Sequence, residues 1–113
     1  MSKTAHAPAP ADDHPDLADI EVATVLQSLA DPVRLEIVSQ VAATGSDGEL
    51  TCGQLDLPVG KSTCSHHLKS LASAGVIAER EEGTRKFIRL RRTELERRFP
   101  GLIESVLRAT SGR

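Results

Sequence analysis

The stretch that decides the fold is Lys61-Ser62-Thr63-Cys64-Ser65-His66-His67-Leu68-Lys69-Ser70-Leu71-Ala72-Ser73-Ala74-Gly75, followed by Val76-Ile77-Ala78-Glu79-Arg80-Glu81-Glu82-Gly83-Thr84-Arg85-Lys86-Phe87-Ile88-Arg89-Leu90. At 100° per residue, Cys64, Leu68, Leu71 and Ala72 share one side of a helix. Thr63, His66, Ser70 and Ser73 share the other, flanked by Ser62 and Lys69, with Ser65 at the boundary. That second face is small, polar and hydrogen-bonding, without the Glu/Lys mixture of an ordinary solvated helix. Ser62 reads as the N-cap of a helix over 63–74, and Gly75 as its stop. Val76 to Glu81 and Lys86 to Leu90 read as strands around the turn Glu82-Gly83-Thr84-Arg85. Alternation sends Ile88 and Leu90 inward and Arg89 and Arg91 outward.

Working outward toward the N-terminus, Thr51 is placed to cap a short helix from Cys52 to Leu55, and Pro58-Val59-Gly60 breaks the chain before the next one. Gly45-Ser46-Asp47-Gly48 is a loop. Asp31-Pro32 starts a helix, Asp31 as N-cap and Pro32 at its first position, with Leu35, Val38, Val41 and Ala42 as its buried stripe. Leu17, Ile20, Ala23, Leu26 and Leu29 recur at helical steps before it. Residues 1–15, with Pro8, Pro10 and Pro15, carry no face to pack and read as a disordered tail; residues 16–110 form the domain. Toward the C-terminus, Thr93 and Glu96 form a capping-box pattern, Pro100-Gly101 interrupts, and Leu102, Ile103, Val106 and Leu107 make a last amphipathic segment. A short helix, a tight turn, a longer helix and then a basic hairpin make a winged helix-turn-helix, mainly α with a small β-hairpin.

Length, composition and charge bound the function. The chain has 113 residues, one domain's worth, and a formal net charge of −2. The total argues against a basic nucleic-acid binder, but its distribution does not. Residues 1–60 carry two basic and ten acidic groups, a balance of −8; residues 61–92 carry eight basic and three acidic groups, or +5; the remainder carries +1. Such asymmetry points to an anionic partner for the basic block. Two Phe, no Trp and no Tyr exclude a stacking platform for single strands. No apolar run reaches the length of a membrane span, and no signal peptide opens the chain, so a cytoplasmic protein with two reduced thiols is expected. No nucleophile–base pair, metal-ligand cluster or phosphate loop stands out, so no enzyme, cofactor or metal is expected; Gly60-Lys61-Ser62 resembles the end of a P-loop, but Leu55 stands where its first glycine belongs.

The polar helix face suits the major groove. Ser and Thr hydroxyls reach base edges or phosphates, His66 can donate to guanine, and Lys61 and Lys69 neutralise phosphate, with the helix N-terminus adding a favourable field. The candidate DNA-contacting residues are therefore Lys61, Ser62, Thr63, Ser65, His66, Lys69 and Ser70 on the helix, and Thr84, Arg85 and Lys86 at the hairpin tip. The expected partner is a double-stranded operator. A winged helix that binds an acidic protein through the same face is the alternative.

Three motifs resemble one family. Leu29-Ala30-Asp31-Pro32-Val33-Arg34-Leu35-Glu36-Ile37-Val38 looks like the opening signature of ArsR/SmtB-type bacterial transcriptional repressors. Lys61 to Leu71 looks like their recognition helix, and Ala74-Gly75-Val76-Ile77 with Glu82-Gly83-Thr84-Arg85 like their approach to the wing. The resemblance runs from about Ile20 to Leu95. It implies a homodimeric repressor, paired through its first and last helices, on an operator of two-fold symmetry. It implies DNA contact for Ser62, Ser65 and His66, and structural roles for His67 and Arg34.

The family commonly senses metals, metalloids or thiol-reactive compounds, and the motifs for the first two are incomplete here. Glu49-Leu50-Thr51-Cys52-Gly53-Gln54-Leu55 holds one Cys where the metalloid pattern needs a Cys-x-Cys pair, and no His follows His67. What remains is Cys52 and Cys64 as redox-sensing candidates, Cys52 at a helix N-terminus that favours reactivity, with a small inducer or oxidant as the implied effector. A nickel- or zinc-responsive repressor using His6, Asp12, Asp13 and His14 of the tail is the alternative sensing mode.

Overall fold

The computed structural model describes residues 14–45 and 48–111. Five helices pack around a three-stranded antiparallel sheet: α1 (Val22–Leu29), α2 (Pro32–Ala42), β1 (Leu50–Thr51), a 3-10 turn (Cys52–Gln54), α3 (Lys61–Ala74), β2 (Ile77–Glu82), β3 (Arg85–Leu90), α4 (Arg92–Arg98) and α5 (Leu102–Ser111). The sheet order is β1-β3-β2, with Leu50 opposite Ile88 and Ile77 opposite Leu90. The core gathers Ile37, Val38 and Val41 of α2, Leu68 and Leu71 of α3, Val76, Ile77 and Ile88 of the hairpin, and Leu95 and Ile103 of the last two helices.

Local chemistry accounts for most boundaries. The Asp31 Oδ1 accepts from Val33 N at 2.8 Å and Arg34 N at 3.1 Å, satisfying two of the donors that every helix start leaves open. At the far end of α3, Gly75 turns left-handed (φ 91°), Gly75 N donates to Ala72 O, and Val76 N donates to Leu71 O. This is the Schellman closure, and it aims the chain straight into β2. The hairpin is closed by the two residues Gly83 and Thr84 between Glu82 and Arg85, with Gly83 at φ 63° giving the primed twist that matches two antiparallel strands.

Several expectations are corrected. The helix expected from Leu17 breaks: Leu17–Asp19 is a single 3-10 turn, the backbone extends at Ile20 and Glu21, and α1 starts only at Val22. The break rotates the buried face, so Val25, Ser28 and Leu29 point inward while Ala23 and Leu26 are exposed. In α2 Ile37 is fully buried, and Leu35 and Ala42 only half so. β1 is a further strand, and the expected helix after Thr51 is only the 3-10 turn. α3 begins at Lys61 rather than Thr63: the carbonyl of Gly60 takes the first intrahelical bond, from Cys64 N, and Ser62 lies inside the helix rather than capping it. The Thr93–Glu96 box does not form, because α4 starts at Arg92 and Glu96 instead accepts from Gly101 N. Arg91 does not point outward; it is buried, paired with Glu94 and donating to Pro15 O at 2.9 Å. Of the expected tail, residues 1–13 lie outside the described residues, as do Ser46 and Asp47 of the loop. His14 and Pro15 are held, His14 Nε2 accepting from Glu79 N at 2.8 Å.

Candidate nucleic-acid interface

Two side-chain devices fix α3 from behind. Gln40 of α2 clamps the peptide at Asp56, donating to its carbonyl at 2.8 Å and accepting from its N–H at 2.9 Å. The linker from the 3-10 turn to α3 is thereby tied to the core. On α3 itself, His67 is buried and its Nδ1 accepts from Arg34 Nε at 3.0 Å, while Arg34 also reaches Ser28 O. This bond needs the neutral ring with its Nδ1 lone pair free. Three helices are thus joined through one guanidinium, consistent with structural roles for Arg34 and His67.

The inward face of α3 is the expected one: Cys64, Leu68, Leu71 and Ala72 are all buried. The opposite side is open. A cleft of about 390 Å³ between α3 and the hairpin is lined by Ser62, Ser65, His66, Lys69 and Lys86 among others. A second, of about 480 Å³, brings Lys61 beside Thr84, Arg85 and Lys86. The fold therefore brings eight of the ten candidate residues onto two adjoining clefts. Thr63 is exposed and Ser70 half-buried on α3, and neither lines these clefts. Ser73, His14 and Glu79 also line the first cleft. Ser73 was legible from its position on the polar arc. His14 and Glu79 were not, since each reaches the cleft through long-range packing.

The basic block is largely neutralised by the protein itself. Arg80 holds Glu49 and Glu82, each at 2.7 Å; Arg89 and Arg91 share Glu94; Arg92 grips Glu104 through two bonds of 2.7 and 2.8 Å. The guanidinium of Arg80 drives the carboxyl of Glu49 below its ordinary range, and that of Arg92 does the same to Glu104. Burial pushes Glu94 upward, but the hydrogen bonds from Arg91 win and its carboxyl also ends low. Lys86 has only a 3.7 Å contact with Glu79, both near the cleft. Among the described residues, no carboxylate pairs with Lys61, Lys69 or Arg85. The charge left for a partner is concentrated on the cleft rim.

The comparisons with known proteins agree with this arrangement. Residues 29–80 match the model of a helix-turn-helix domain. The uncharacterised HTH-type transcriptional regulator YceK of Bacillus subtilis is 31% identical over 86 residues, covering 74% of this chain and 84% of that protein. The arsenical resistance operon repressor of Staphylococcus xylosus is 35% identical over 72 residues, covering 62% and 65%. The solution structure of the homodimeric winged helix-turn-helix DNA-binding domain of Mb0332 from Mycobacterium bovis, an ArsR-family candidate, superposes with a TM-score of 0.60 at 29% identity, covering 75% and 76%. The chain belongs to the ArsR/SmtB family. Like its relatives, this ArsR/SmtB-family protein is a DNA-binding transcriptional regulator of winged helix-turn-helix fold.

The sensing residues expected from the sequence also have places in this ArsR/SmtB-family fold. Cys52 starts a three-residue 3-10 turn rather than the expected helix. Its Sγ stands 3.3 Å from that of Cys64. Burial, and then the contact with Cys52, pushes the Cys64 thiol up to about 11. His6, Asp12 and Asp13 lie outside the described residues, and the Nε2 of His14 is engaged by Glu79 N. Among the described residues, no three His, Cys, Asp or Glu side chains gather as metal ligands. No helix among them is long and apolar enough to cross a membrane.

Proposed function

We propose that the chain is a homodimeric repressor that binds an inverted-repeat operator, with α3 in the major groove and the β2–β3 hairpin as its wing. The observation that carries this reading is that, among the described residues, no carboxylate pairs with Lys61, Lys69 or Arg85, the cations that frame the Ser62–Ser65–His66 face. In this reading His66 and the serines meet base edges or phosphates, and the three cations meet phosphates. Thr63, Ser70, Thr84 and Lys86 complete the contact set. Lys86 exchanges its long contact with Glu79 for a phosphate oxygen. The dimer is supported by α1, whose Val22 and Leu26 are 44% and 48% exposed, and by the homodimeric Mb0332 domain. One small module has a modest footprint, and a symmetric pair on two half-sites doubles it.

The test is selection from a random duplex library by the reduced full-length chain, followed by anisotropy titration on the enriched site. An inverted repeat with half-site centres about 10 bp apart, or a multiple of that, is expected. Enrichment of no duplex would favour a protein-binding winged helix instead.

A further inference from the structure

The two thiols sit where the helix-turn-helix is joined. Cys52 lies in the 3-10 turn, half-buried; Cys64 lies on the inward face of α3, 4% exposed. Both line one pocket of about 170 Å³, with Leu55, Leu57, Val59 and Lys61. The DNA reading uses neither sulfur. We propose that this dithiol pocket is a modification site for small alkyl hydroperoxides, and that its oxidation to an intrachain disulfide releases the regulator from DNA. The release rests on the DNA-binding reading above; the chemistry of the site does not.

The step balances. The Cys52 thiolate attacks the distal oxygen of ROOH, the S–O bond forms and the O–O bond breaks. The alkoxide leaves and takes a proton to become the alcohol. Cys64 Sγ, 3.3 Å away, then attacks the sulfenic sulfur. The S–S bond forms, the S–O bond breaks, and hydroxide departs with the Cys64 proton as water. Two thiols have lost two electrons, and one peroxide has become alcohol and water. Accessibility assigns the order, because Cys52 is half-buried while Cys64 is buried. Burial keeps Cys64 protonated at neutral pH, so the peroxide meets Cys52 first and Cys64 gives up its proton only as it attacks the sulfenic sulfur. The apolar walls favour an alkyl group over water or a large charged disulfide such as that of glutathione. Lys61, in the same lining, brings a positive charge close to the departing oxyanion.

A disulfide is about 2.05 Å long, so the sulfurs must close by more than an ångström. Cys64 adjoins Ser65 and His66, so the shift is delivered to the face that reads DNA, where hydrogen bonds tolerate only a few tenths of an ångström.

The test uses the full-length reduced chain and its selected duplex, treated with tert-butyl hydroperoxide or with hydrogen peroxide. Expected are loss of two hydrogens by mass spectrometry, a Cys52–Cys64 cross-linked peptide, at least a tenfold fall in affinity, and full recovery with dithiothreitol. The alkyl peroxide should act faster at equal concentration. Cys52→Ser should bind DNA when reduced and ignore peroxide, while Cys64→Ala should stop at a sulfenic acid that dimedone traps on Cys52. Thiols that survive the alkyl peroxide, or a disulfide that leaves affinity unchanged, would overturn the proposal; faster reaction with hydrogen peroxide would overturn the alkyl assignment. A reduced chain that binds no duplex would instead sink the DNA reading, and the mass measurement would still report on the site.

Discussion

Gly75 shows how much one residue decides. Its φ of 91° is a left-handed conformation that costs a side chain about 1–2 kcal/mol. A Cβ there would meet Ile20 Cγ1 at 2.7 Å, and Ile20 is 1% exposed and has nowhere to go. Overpacking of this kind costs about 1–3 kcal/mol more. Gly75→Ala is therefore expected to lower stability by about 2–5 kcal/mol in urea unfolding. A loss below 1 kcal/mol would mean that the α3–β2 joint is soft. His66 and Arg85 separate at the same scale by the kind of contact each makes. His66→Ala should cost about 1–3 kcal/mol on the selected operator and little on random duplex, because it removes a base contact. Arg85→Ala should weaken both alike and make the salt slope shallower by about 1 per protomer, because it removes a phosphate contact. Equal losses on both duplexes for His66→Ala would reassign it to the backbone.

The helices divide into those specified locally and those specified by their neighbours. α2 is of the first kind. Its Asp31 cap should be worth about 1 kcal/mol, read as the stability gap between the chain and Asp31→Ala near neutral pH. The Arg34 N–H, more than any other group, holds the Asp31 carboxyl below its ordinary value. The folded value thus lies below the unfolded one. The stabilisation is complete above the unfolded value and drains away as pH falls through the folded one. The Asp31→Ala gap should shrink on going from about pH 7 to about pH 3; a constant gap would contradict the assignment. Asp31-Pro32, Gly75 and the Gly83-Thr84 turn were legible in the sequence because each acts through its own backbone. So was the inward face of α3, whose periodicity runs unbroken. The start of the first helix is not legible, because the periodicity from Leu17 continues across a break in the backbone. The stop at Ile20 rotates everything after it, and the carbonyl of Ile20 is taken by Arg98, 78 residues away. β1 has two residues and exists only because β3 lies beside it. Helical periodicity and a hairpin pattern are enough to find the face that holds the ten candidate contacts. They are not enough to see that α3 and the wing enclose a cleft, that His14 reaches it, or that Cys52 meets Cys64.

At the scale of the whole molecule, charge and symmetry combine into one measurable quantity. The sequence offers eight basic groups between residues 61 and 92. If all met phosphate in both protomers of a dimer, the logarithm of the binding constant would fall with log salt at a slope of about −14. The structure commits half of them elsewhere. Arg91 is buried against Glu94 and Pro15, Arg89 shares that Glu94, Arg92 is locked to Glu104, and Arg80 bridges Glu49 and Glu82. Breaking such charge-assisted pairs to reach a phosphate exchanges one anion for another with little gain. Lys61, Lys69 and Arg85 remain, six cations in a symmetric pair, and the slope should be about −5. Lys86, with its 3.7 Å contact, can raise it to about −7. Leu26→Asp carries the same argument to the assembly. Leu26 is 48% exposed on α1, so the substitution leaves the fold of one chain undisturbed but places a buried, unpaired carboxylate in a dimer interface. Sedimentation should then report a monomer, and the slope on a single half-site should fall to about −3, since three cations act alone. A wild-type slope near −14 would mean that the internal ion pairs open on DNA, and a Leu26→Asp chain that sediments as a dimer would move the interface off α1.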